Sequence, residues 1–150
     1  MQMDPEEIKA KVLYALRFVT DPEIPINVVD LGLIRKLEVE DSKVYLRVVM
    51  TAPGCPYSSM IVQQIEESIK SAIPELEEVK VELEIFPPWT PFDMTERGRE
   101  QFKKMYGYDL AEGFLKRYGS VENYYELVRK YYGLDKESKD ESESEKDKES

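Results

Sequence analysis

Histidine is missing from this 150-residue chain, and cysteine occurs once, at Cys55. The first absence rules out Ser-His-Asp and Cys-His nucleophile systems, histidine-bearing zinc sites and imidazole proton shuttles. The second rules out an intramolecular disulfide and leads us to expect a reducing, cytoplasmic setting. No apolar run approaches the roughly 18–20 residues of a membrane span, and the first residues lack a secretory-signal pattern. Basic residues are outnumbered: 21 Lys and Arg stand against 31 Asp and Glu, a formal net charge of −10. That balance argues against nucleic acid, whose phosphates demand basic patches, and no membrane partner is expected.

Apolar periodicity lays out the chain in order. Asp4-Pro5-Glu6-Glu7 reads as a helix start with an N-cap Asp and a capping-box Glu. Ile8, Val12, Ala15, Leu16 and Val19 then trace one stripe as far as Thr20, before Asp21-Pro22 stops it. Leu33 to Val39 and Val44 to Met50 alternate around a turn at Asp41-Ser42, which predicts a hairpin. A second helix is expected from Pro56 to about Ala72 on the stripe Ile61, Ile65 and Ile69. Val79, Val81, Leu83 and Ile85 alternate with charged residues, the cleanest strand pattern in the chain. Helix, strand, strand, helix, strand predicts an α+β, two-layer fold with both helices on one face of a three-stranded sheet and a right-handed crossover. The middle strand is not decided by this pattern.

Beyond the sheet, Phe86-Pro87-Pro88-Trp89-Thr90-Pro91 breaks the ladder, because proline has no amide hydrogen to offer it. Thr95 is expected to cap a helix through about Met105, Ser120-Val121-Glu122-Asn123 to start another, and seven tyrosines fall between residues 106 and 132. Residues 135–150 hold only Asp, Glu, Lys and Ser, so they have nothing apolar to bury and are expected to be disordered. The expected organisation is an α+β domain at 1–94, a helical Tyr-rich extension at 95–134, and a charged tail at 135–150.

Cys55 is the residue with chemistry to offer. It follows Thr51, Pro53 and the turn residue Gly54, and it precedes Pro56, which suits the first position of a helix. That spacing puts Cys55 at the N-cap, where free backbone N–H groups and the helix dipole favour thiolate over thiol. Cysteine is a poor cap compared with Ser, Thr, Asp or Asn, so helix stability does not account for it. Asp21, Glu23 and Asp30 crowd one loop of the chain. They read either as turn caps binding local backbone N–H groups or as carboxylates placed beside the sulfur, where they would raise its pKa. Thr51 reads as a turn-organising hydroxyl or a partner of the sulfur. Trp89 reads as cover for the core or as a rigid anchor for a partner.

The blocks Asp21-Pro22-Glu23-Ile24-Pro25, Val29-Asp30-Leu31-Gly32-Leu33-Ile34 and Thr51-Ala52-Pro53-Gly54-Cys55-Pro56 resemble the SufT/PaaD-like family of iron–sulfur assembly proteins. Pro87-Pro88-Trp89-Thr90-Pro91 is similar to the tract after the last core strand in PaaD-like members, so the resemblance covers roughly residues 4–100. It implies a domain akin to the C-terminal domain of NifU-type scaffolds, with Cys55 at the family's cysteine position. NifU-type domains carry a Cys-x-x-Cys pair, whereas this chain has Cys55 and Ser58. The implied function is a small cytosolic maturation factor, a carrier or targeting adaptor whose partners are apo iron–sulfur proteins or other assembly proteins; we expect it to be non-enzymatic and, because one thiolate cannot hold a cluster, homodimeric. Its cargo would be a transient iron–sulfur cluster ligated by Cys55, with further ligands from elsewhere, since a cluster normally takes about four cysteines. Two other readings stay open: a thiol-dependent redox protein with an external resolving thiol, and an interaction module whose cysteine is packed and inert.

Overall fold

The computed structural model describes residues 3–52 and 55–133. Gly54 and the 135–150 tail lie outside the described residues. The elements are α1 (Pro5–Leu16), β1 (Ile34–Glu40), β2 (Lys43–Val48), α2 (Ser58–Ala72), β3 (Glu78–Leu83), a 3-10 turn (Pro91–Asp93), α3 (Glu96–Tyr106), α4 (Leu110–Tyr118) and α5 (Val121–Tyr132). The fold is mixed α+β, with one three-stranded sheet in the order β1-β2-β3. The middle place goes to β2, antiparallel to β1 across the Glu40–Lys43 hairpin and parallel to β3 after the α2 crossover. Asp41 takes φ 53° at the hairpin tip, a left-handed conformation that Asp tolerates better than most residues.

The core lies between sheet and helices. Ile8, Val12 and Leu16 of α1 and Ile61, Ile65 and Ile69 of α2 are fully buried over Val44, Leu46 and Val48 of β2. Burying such aliphatic side chains stabilises by about 1.5–3 kcal/mol each. The two helices also meet through Ser68, whose hydroxyl donates to the Ala15 carbonyl at 3.3 Å.

Four expectations need correction. The first helix ends at Leu16 rather than Thr20, and its N-cap Asp4 makes no side-chain capping bond. The second begins at Ser58, with Tyr57 rather than Cys55 as N-cap. β3 stops at Leu83, and only Val79 of its alternating set is buried, while Leu83 and Ile85 are exposed. Alternation reports which side chains share a face, not whether anything covers that face.

The segment after β3 is bound back onto the loop that precedes β1. Trp89 is buried and its indole N–H donates to the Leu31 carbonyl at 2.6 Å. Arg35 of β1 donates to the carbonyls of Pro87 and Pro88 and pairs with Glu84 (3.6 Å) and Asp93 (3.8 Å). Thr95 caps α3 through Gly98 N, as its sequence setting predicts, and its hydroxyl donates to Asp30 Oδ1 at 2.9 Å. Two glycines make the approach possible. A Cβ on Gly98 would stand 2.4 Å from the Asp30 carbonyl oxygen, and one on Gly32 (φ +78°) 1.9 Å from that of Asp93. Asp109 and Ser120 cap α4 and α5, and Arg129 lies over the Phe86 ring at 4.6 Å, so the last helix returns to the end of the sheet.

Candidate functional site

The loop from Thr20 to Leu33 is a closed structure rather than a slack connection. Thr20 and Asn27 form an antiparallel bridge, and Val28 N donates to Val19 O at 2.9 Å. Asp21 is buried inside the loop's first turn, with Oδ2 accepting from the backbone N–H groups of Glu23 (2.9 Å) and Ile24 (2.8 Å). This is an Asx turn, local backbone service by a short carboxylate. Its other oxygen, Oδ1, is buried and has no hydrogen-bond partner. Such an orphan is costly and uncommon in folded proteins.

The Asx turn sets Glu23 facing the cysteine. Cys55 Sγ donates to Glu23 Oε1 at 3.6 Å, linking two residues far apart in the chain. Cys55 itself sits in a turn, its N–H on the Ala52 carbonyl and its carbonyl receiving Ser58 N, both at 3.2 Å. Ser58 is the first residue of α2 and half-buried, so it stands beside the turn as part of its backbone. The side chain of Cys55 is 6% exposed and belongs to the main apolar cluster.

These surroundings reverse the expected electrostatics. Burial pushes the Cys55 thiol up first, and the Glu23 and Asp21 carboxylates push it further; only the Tyr57 backbone N–H opposes them. The expected open thiolate at a helix N-cap is therefore corrected to a buried thiol, protonated at neutral pH. The physical reason is that one backbone donor cannot offset desolvation plus two nearby negative charges.

Asp30 does not join this group. It is buried, accepts from Asn27 Nδ2 (2.8 Å) and Thr95 Oγ1 (2.9 Å), and pairs with Arg17 (3.7 Å) and Arg97 (3.9 Å). Its work is to fix the end of the loop and seat α3. Of the three loop acids, Asp21 and Glu23 stand at the cysteine. Among the described residues no three of Cys, Asp and Glu stand together in a way that could hold a metal ion.

Thr51 and Trp89 line a different feature, a cleft of about 360 Å³ between this loop and α4–α5. With its ring buried and its N–H committed to Leu31, Trp89 forms part of the cleft wall and is no exposed anchor. Two contributors escaped sequence reasoning. The Tyr57 amide is backbone and carries no residue signature. Gly113, in the interior of α4 and on the cleft, was signalled by its poor helix propensity.

The model of a family described as iron–sulfur cluster assembly protein matches residues 9–83, half of the chain. The chain belongs to that family. The matched span holds Asp21, Glu23, Asp30, Thr51, Cys55 and Ser58, while Trp89 and α3–α5 follow it. The Fe-S protein maturation auxiliary factor YitW of Bacillus subtilis is 31% identical over 86 residues, 57% of this chain and 83% of that protein. The Fe-S protein maturation auxiliary factor SufT of Staphylococcus aureus is 38% identical over 80 residues, 53% of this chain and 89% of that protein. A solved conserved hypothetical protein from Thermotoga maritima superposes with a TM-score of 0.55 at 41% identity, covering 63% of this chain and 92% of that one. Family membership thus attaches to the α1–β3 core. Among the described residues no helix is long and apolar enough to cross a membrane.

Proposed function

We propose that this protein is a non-enzymatic maturation factor for iron–sulfur proteins, a cytoplasmic carrier or targeting adaptor that works through Cys55. It comprises an assembly domain at 1–94, a helical extension at 95–134 and a charged tail. The observation that carries the reading is the Cys55–Glu23 contact at 3.6 Å inside the family-matched span. A buried thiol that already donates to a carboxylate has a proton acceptor in place. When iron of an incoming cluster bonds the sulfur, the S–H bond breaks and the proton passes to Glu23 Oε1, leaving a neutral carboxyl. The lone buried oxygen of Asp21 adds negative potential there, which opposes free thiolate and favours a thiolate neutralised by a cation.

One sulfur falls short of the roughly four ligands a cluster takes. The remainder come from Cys55 of a second copy and from the apoprotein or a small thiol, so the loaded species is a homodimer or a complex with its recipient. Such shared ligation suits transfer. Anaerobic reconstitution of the full chain with iron and sulfide tests this, followed by light scattering and transfer to an apo iron–sulfur protein. Cluster absorbance, a doubled mass and restored recipient activity are expected, all lost in Cys55→Ser. Equal cluster content in wild type and Cys55→Ser would remove Cys55 from the mechanism.

A second reading, an interaction module with an inert cysteine, is favoured by the burial of Cys55. Alkylation separates the two. A working thiol reacts slowly at neutral pH and faster in Glu23→Gln, which loses the charge that raises its pKa. An inert one stays unreactive in both until the protein unfolds.

A further inference from the structure

The cleft between the core loop and α4–α5 is lined mostly by aromatic and aliphatic residues. The chain carries 31 acids, yet among the described residues no acidic side chain lines the cleft, and the charged residue lining it is Arg117. The floor is an aromatic trio: Phe114 stands 5.0 Å from Tyr118 and 5.1 Å from Tyr124, and the two tyrosines are 4.7 Å apart, centroid to centroid. Trp89 and Tyr108 also line it. Arg117 is exposed, lies over the Tyr118 ring at 5.5 Å and, among the described residues, pairs with no carboxylate.

Gly113 shows that the space is kept open. It lies in the interior of α4, where glycine costs about 1 kcal/mol relative to alanine. No close approach demands it, since a Cβ there would meet only Tyr108 carbons, at 3.7 and 4.0 Å. What a side chain at 113 would do is fill the cleft. Aromatic walls can also hold cations, but the free guanidinium repels them and selects an anion instead.

We propose that this cleft binds a small aromatic monocarboxylate, its ring on the Phe114–Tyr118–Tyr124 floor and its carboxylate on Arg117. A volume of about 360 Å³ suits a ligand of one or two fused rings. The site is independent of Cys55 chemistry and is built largely from residues beyond the family-matched span.

The single tryptophan supplies a built-in reporter, because Trp89 gives one indole N–H resonance. The test titrates the full chain with 2-naphthoate and with its neutral analogue 2-naphthamide. Saturable movement of that resonance is expected, with the acid about tenfold tighter than the amide, the usual worth of a charge-assisted hydrogen bond. Arg117→Gln, on an exposed side chain, should bring acid and amide within about twofold of each other. Gly113→Leu should abolish the shift, and Gly113→Ala should weaken it with the helix intact. Absence of a saturable shift in the wild type, equal affinity for acid and amide, or unchanged selectivity in Arg117→Gln would overturn the proposal.

Discussion

The two halves of the molecule draw on the same forces in different proportions. The family core is an aliphatic layer in which Ile8, Val12 and Leu16 of α1 and Ile61, Ile65 and Ile69 of α2 lie fully buried over β2. The α3–α5 region is an assembly of capped short helices and ring contacts, with Phe102, Ala111, Phe114 and Val128 among its few buried side chains. It joins the core through Trp89, Met94 and Phe102, which enter the main apolar cluster, and through polar contacts and close approaches that include Asp30 to Thr95, Gly98 on Asp30, Asp93 on Gly32, and Trp89 on Leu31. Aliphatic burial is non-directional and shared among many residues, whereas attachment by hydrogen bonds and close approaches concentrates stability in few. The core is thus expected to tolerate loss of the extension better than the extension tolerates damage to the loop.

Perturbing the core should give the largest effect. Ile65→Ala removes a fully buried side chain of α2 and should cost about 2–5 kcal/mol, seen as a lowered urea midpoint for every probe at once. If only part of the structure melts early, the core is not the shared foundation. At the junction, Gly32→Ala places a Cβ 1.9 Å from the Asp93 carbonyl oxygen in a left-handed conformation. It should cost about 2–3 kcal/mol, and hydrogen exchange should speed in α3–α5 before α1 and α2. Uniform loss of protection would erase the distinction between the halves.

Trp89→Phe keeps a ring in place but strands the buried Leu31 carbonyl, for about 1–3 kcal/mol. Differential scanning calorimetry would check it, and an unchanged melting temperature would mean that water replaces the indole. The smallest effect concerns the thiol. Because the folded pKa of Cys55 lies above its unfolded value, the native state keeps the proton longer. The Cys55 contribution to stability should therefore be constant below the ordinary thiol range near about pH 8.5 and be lost as pH rises through the native pKa. Cys55→Ser should lose that share of the alkaline slope and keep the part that the raised Tyr124 and Tyr125 supply at higher pH, measured as melting temperature against pH.

Much of the architecture was legible in local patterns, and the failures share a cause. The isoleucines at four-residue spacing in α2 and the hairpin at Asp41-Ser42 are short-range signals, and both elements form, α2 ending at Ala72 as expected but starting two residues late. Thr95 and Ser120 likewise cap the helices they announce. The setting of Cys55 is not legible in the sequence because Pro56 locates a turn but not the direction of the preceding side chain. One extra turn, closed by Ser58 N on the Cys55 carbonyl, precedes α2 and leaves the sulfur inside. The three loop acids looked equivalent, yet Glu23 meets the sulfur while Asp30 meets Thr95, 65 residues away in sequence.

Element types, the aliphatic stripes, the family likeness and the exclusion of histidine chemistry were determined by sequence alone, since each depends on composition or on spacing within a single element. The folded chain alone decided that β2 is central, that burial and two carboxylates raise the thiol pKa, that Asp30 serves the extension and that an aromatic cleft with no acid among its described lining residues opens beside Thr51. Each of these rests on distances between residues remote in the chain, and desolvation and Coulomb energies depend on those distances rather than on sequence separation.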